Sequence, residues 1–102
     1  MSEQFELKLP VGDVSAKAVM TIKKLTGLAP SVIKDKAAND EYLVMSRYGN
    51  TEGIVLINRI KRELESQGIT VRLYENGREE TFEHFDNVEQ MYREIDASDY
   101  PD

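Results

Sequence analysis

The sequence predicts an α+β fold: an antiparallel sheet of three to four strands with helices on one face, plus a C-terminal hairpin strand and helix on the other face. Three observations predict it. Phe5, Leu7 and Leu9 alternate with Glu6 and Lys8, the period-2 pattern of a half-buried strand. Thr51 to Gly77 reads as one amphipathic helix, one strand and one tight turn, with a punctuating residue at each joint. Apolar residues recur at helical spacing in three further stretches.

The first strand spans Glu3 to Leu9 and is ended by Pro10. Val11-Gly12 turns the chain, and Asp13 is a candidate N-cap for a helix from Val14 to Leu25. Val14, Ala18, Ile22 and Leu25 form the inner stripe of that helix, widened by Val19. Lys17, Met20, Lys23 and Lys24 fall on the opposite side. Met20 is thus an apolar residue in a lysine-rich face. A single exposed methionine is ordinary on any surface; the functional reading is an adaptable contact inside a basic partner site. Gly27 closes the helix. Pro30 opens a second, short one in the first turn, where its missing N–H costs nothing. Ile33 and Ala37 give that helix an inner edge, and Asn39-Asp40 breaks it.

Glu41 to Tyr48 is the second strand. Tyr42, Val44, Ser46 and Tyr48 alternate with Leu43, Met45 and Arg47, so both faces carry apolar groups and cover on both sides is expected. Thr51 is a candidate N-cap for the third helix, whose stripe is Gly53, Leu56, Ile57, Ile60 and Leu64. Gly68 stops it. Ile69, Val71 and Leu73 then alternate with Thr70, Arg72 and Tyr74. Asn76-Gly77 is a hairpin signal because both residues tolerate positive φ, and Arg78 to Phe82 returns as a fourth strand. Asp86-Asn87-Val88-Glu89 has capping-box spacing for a last helix from Asp86 to Ile95, with Val88, Met91, Tyr92 and Ile95 as its stripe. Strict alternation turns Leu43 and Met45 toward the helices and leaves Tyr42, Val44, Tyr48 and Tyr74 on the second face. The last helix, with a stripe to bury, is expected to cover them, giving three layers. Residues 97–102 are expected to fray.

The 102 residues suit one domain, and the absence of Cys excludes a disulfide framework and any thiolate metal site. No membrane span or signal peptide is readable, so a cytoplasmic protein is the expectation. The net charge of −6 is uneven: residues 1–74 carry 11 Lys and Arg against 9 Asp and Glu, and residues 75–102 carry 2 against 10. An acidic end of this kind argues against wrapping nucleic acid, whose phosphates need neutralising.

Little in the sequence carries chemistry. His84, the only histidine, has Glu83 and Asp86 as neighbours that could hold it as a general base, but no nucleophile motif accompanies it. Glu75, Glu79, Glu80 and Glu83 form an acidic cluster without the ligand spacing of a calcium loop, so solvated charge is the plainer reading. Lys23, Lys24, Lys34 and Lys36 have no aromatic stacking platform beside them, which weakens an RNA reading. No glycine-rich phosphate loop follows a strand. No cofactor and no metal are implied.

Ile22-Lys23-Lys24-Leu25-Thr26-Gly27-Leu28, Ile33-Lys34-Asp35 and the run from Arg62 to Val71 resemble segments of the C-terminal domain of the bacterial ribosomal stalk protein. The resemblance covers residues 15–74; from Glu75 onward there is no counterpart. It implies a βααβαβ core over residues 3–75, to which residues 76–96 add a hairpin return and a helix within one domain. It also implies a docking module for translational GTPases or ribosome-associated factors that does no chemistry. By position, the implied partner-binding residues are Met20, Lys23, Ala29, Pro30, Ile33 and Lys34. Met20 stands where the family has a lysine, and Ala29-Pro30 where it has Gly-Leu. The rival reading is a small acidic inhibitor or immunity-type protein that meets a basic enzyme surface through residues 75–102, with Glu75, Glu79, Glu80 and Glu83 as its acidic surface.

Overall fold

A computed structural model describes residues 3–98, with side chains to residue 96; the tail positions 99–102 lie outside the described residues. Eight elements follow in order: β1 (Gln4–Lys8), α1 (Ala16–Thr26), α2 (Pro30–Ala38), β2 (Tyr42–Arg47), α3 (Thr51–Glu65), β3 (Arg72–Glu75), β4 (Arg78–Glu80) and α4 (Phe82–Ser98). The fold is α+β, with four helices and one four-stranded antiparallel sheet in the order β2-β1-β3-β4. Among the described residues no helix is long and apolar enough to cross a membrane.

The hairpin forms where Asn76-Gly77 places it. Both residues have positive φ (53° and 82°), and the turn fixes the pairs Glu75↔Arg78, Tyr74↔Glu79 and Leu73↔Glu80. The return strand is shorter than expected, because Thr81 leaves the ladder to cap α4. Two other caps also shift by a residue or two. Ser15, not Asp13, accepts the Ala18 N–H and starts α1; Asn50, not Thr51, accepts the Gly53 N–H and starts α3.

The core lies between the sheet and the helices, with Phe5, Leu7, Leu9, Ile22, Ile33, Ile54, Ile57, Ile60, Leu64, Leu73 and Phe85 buried. Gly53 lets α3 approach β2, since a Cβ there would run into the side chain of Ser46. The inner face of α3 is wider than its expected stripe. Asn58 and Lys61 are buried on it and Leu56 is half-buried, because a further helix packs along this side of α3.

That further helix is α4, and its position corrects two expectations. It lies on the same face of the sheet as the other helices, so the molecule has two layers. The Phe85 ring meets Phe5 edge-on at 5.4 Å, and the Asn58 side chain donates to the Phe85 carbonyl at 3.0 Å and to Glu89 Oε1 at 2.8 Å. The helix also begins one turn before Asp86. Thr81 Oγ1 accepts the His84 N–H at 3.0 Å, and the earlier start brings Phe82 and Phe85 into the apolar stripe. Phe85 and Val88 are buried and Phe82 and Tyr92 partly so, whereas Met91 (49%) and Ile95 (53%) are exposed. Asp86 does not cap; its carboxylate takes the buried Lys61 ammonium at 2.5 Å.

The second sheet face needs no apolar cover. A register shift opposite Leu7 and Lys8 puts an extra residue, Leu43, into β2. Leu43 is buried, Val44 packs against the core and Ser46 meets α3, while Met45 turns out to solvent beside Gln4. Tyr48 stacks on Phe5 at 4.8 Å on the helix side. Tyr42 and Tyr74 do lie on the open face as alternation requires. There the Lys8 ammonium sits 5.0 and 5.3 Å from their ring centroids, and Arg72 joins Asp40 at 2.6 Å.

Candidate functional site

Helix α1 carries no acidic residue. Its inner positions Ala18, Val19 and Ile22 are buried, and that fixes the outer ones. Met20 stands 57% exposed, with Lys17 one turn before it and Lys23 and Lys24 one turn after, and the four line a shallow depression with Thr21. Lys23 and Lys24 also suit the negative end of the helix dipole, so their presence has a local reason as well.

The other residues implied by the resemblance divide. Ala29 and Lys34 are exposed and Pro30 is half-buried where it starts α2. Ile33 is fully buried; its side chain belongs to the core and is withdrawn from any contact surface. Val32, one residue before it, is 39% exposed and continues the apolar–basic character of this part of the surface. No sequence argument singled out Val32, because α2 is too short to define a stripe from its apolar spacing.

The four acidic residues of the alternative surface are not on one face. The hairpin register puts Glu75 and Glu80 on the helix side of the sheet and Glu79 on the open side, opposite Tyr74; Glu83 is exposed on α4. His84 meets neither Glu83 nor Asp86, its expected partners. Its Nε2 lies 2.6 Å from Glu75 Oε1 and 3.7 Å from Glu80 Oε2. The Tyr48 hydroxyl donates to the other oxygen of Glu75 and accepts from the Asn76 amide at 3.2 Å. This bond to Glu75 pushes the Tyr48 phenol up to about 12, with burial adding to the shift. Burial works to raise the Glu75 carboxyl, but the hydrogen bonds from Tyr48 and His84 outweigh it, so its net displacement is downward. Sequence reasoning grouped Glu75 with Glu80 but missed the His84 and Tyr48 connections. The two-residue turn held the signal, since it pairs Leu73 with Glu80 and so gives Glu75 and Glu80 one face.

Comparison of the chain with family models, with curated proteins and with solved structures found no match.

Proposed function

We propose that the chain is a non-enzymatic protein-binding module that docks an acidic, apolar-tipped segment of another protein on the outer face of α1 and the adjoining part of α2. The exposure of Met20 within a frame of Lys17, Lys23 and Lys24 carries this reading. A flexible thioether adapts to an apolar anchor, and the surrounding cations steer and orient an acidic partner. The element order strand, helix, helix, strand, helix, strand is the order the stalk-domain resemblance implies. On that resemblance the partner is a translational GTPase or a ribosome-associated factor.

The acidic-inhibitor reading has less support, because its acidic residues do not share one face and at least three of the ten from Glu75 onward are engaged internally. Asp86 pairs with Lys61 and Arg62, Glu89 with Asn58 and Arg93, and Glu75 with Tyr48 and His84.

The test is a titration of the labelled chain with purified translational GTPases, read by fluorescence anisotropy. Met20→Asp should weaken binding at least tenfold, Lys23→Glu and Lys34→Glu by less, and added salt should slow association. Affinity unchanged in Met20→Asp, or lost only in Glu79→Gln and Glu83→Gln, would overturn the reading.

A further inference from the structure

We propose that Glu75, Glu80 and His84 form a three-ligand site for a divalent transition-metal ion of the zinc type. The donors come from three successive elements: the ends of β3 and β4 and the first turn of α4. One ligand atom from each residue lies within 4.8 Å of the other two. Ions of this class form bonds of roughly 2.0–2.2 Å to imidazole nitrogen and carboxylate oxygen, which places neighbouring ligands about 3.3 Å apart in a tetrahedron. The two His84 separations, 2.6 and 3.7 Å, straddle that spacing, so small side-chain rotations bring the donors to a common centre.

A single hydrogen bond does not account for all of this arrangement. The N–H at Nε2 reaches Glu75, but Glu80 at 3.7 Å is beyond a hydrogen bond from the same nitrogen. An ion between the three engages both carboxylates at once. The mixed donor set also selects the metal. Calcium and magnesium take six or more oxygen ligands, whereas one imidazole with two carboxylates suits zinc and its neighbours. The surroundings hold the donors in place. Tyr48 ties down the second oxygen of Glu75, as outer hydrogen bonds do around ligating carboxylates, and Thr81 fixes the turn that carries His84. The side chains of Glu75, Glu80 and His84 are 28%, 34% and 39% exposed, which leaves a path for the ion and room for water to complete its coordination.

Binding takes the lone pair of His84 Nε2, so the ring proton that faces Glu75 moves to Nδ1. The bound ion would clip the hairpin to α4. This inference is independent of the docking surface on α1.

Because His84 is the only histidine, a single set of imidazole signals reports on the site. The experiment titrates the untagged full chain with zinc chloride near neutral pH, following those signals by NMR and Tm by calorimetry. The expected result is a saturable shift complete near one equivalent, a higher Tm, no comparable shift with magnesium, and at least tenfold weaker binding in Glu80→Gln and in Glu75→Gln. His84 signals that stay unmoved at millimolar zinc overturn the proposal. So does zinc affinity that is the same in both glutamine variants as in the wild type.

Discussion

The outer face of α1 and the seam between α3 and α4 break the helical pattern in opposite directions. On α1 an apolar residue, Met20, stands in solvent among cations. In the seam, Asn58 and Lys61 lie buried among apolar residues. The outward break costs little and leaves a surface free to bind. The inward break demands partners, because an unpaired polar group inside a protein is expensive. The seam supplies them for the N–H donors: Asn58 donates to the Phe85 carbonyl and Glu89, and Lys61 donates to the Phe82 carbonyl and Asp86, while Asn58 Oδ1 has no hydrogen-bond partner among the described residues. These bonds fix where α4 lies along α3, so the seam is architecture, whereas the α1 face is available for function.

The contrast can be broken most severely by removing α4. A chain ending at Asn76 loses Phe85 and Val88 from the core and strands Asn58 and Lys61 without their partners, so its urea unfolding should lose cooperativity. Within the full chain, Phe85→Ala should cost about 3–5 kcal/mol in urea denaturation, because the fully buried ring leaves a cavity against Phe5. Gly53→Ala should cost about 1–3 kcal/mol by forcing α3 away from Ser46, and adding Ser46→Gly should recover part of it. Met20→Ala, on the other region, should change stability by no more than about 0.5 kcal/mol while still weakening partner binding. A large stability loss in Met20→Ala would show that the two regions are not separable in this way.

A titration extends the comparison to a third place, the Tyr48–Glu75 bond beside Phe5. The Tyr48 phenol is raised in the folded state, so the stability it contributes is fully present below the ordinary phenol value of 10 and is lost as pH rises toward about 12. Urea melts of the wild type and Tyr48→Phe should therefore converge across that window. The carboxyls of Asp40, Glu75 and Glu89 are displaced downward. For Asp40 the Arg72 hydrogen bond is the main cause; for Glu75 and Glu89 burial opposes the shift, and their hydrogen-bond donors outweigh it. Their contribution is present above the ordinary carboxylate range and is lost as pH falls through the folded values. Acid should thus weaken the seam and the open face, and Glu89→Gln should flatten part of that acid limb.

The sequence by itself determined the element types and most of their limits, because each rests on short-range physics. Alternation gave β1, the apolar stripes gave α1 and α3, and Asn76-Gly77 gave the hairpin with its register. Helical spacing also gave the exposure of Met20, since the inner side of α1 left it no other place. Tertiary structure alone decided what depends on which surfaces meet. The extra residue Leu43 reversed the facing of β2 beyond it, turning Val44 inward and Met45 out; no local signal in Tyr42 to Tyr48 marks that shift. With Val44 and Tyr48 turned inward and Lys8 set over the Tyr42 and Tyr74 rings, the second face kept little apolar surface, and α4 packed along α3. Asn58 and Lys61 lie outside the expected stripe of α3 and became buried because α4 brought carbonyls and carboxylates to them. The meeting of Glu75, Glu80, His84 and Tyr48 has the same origin: four side chains from two strands, the turn after β2 and a helix converge only when β1 lies between β2 and β3 and α4 folds back over the sheet.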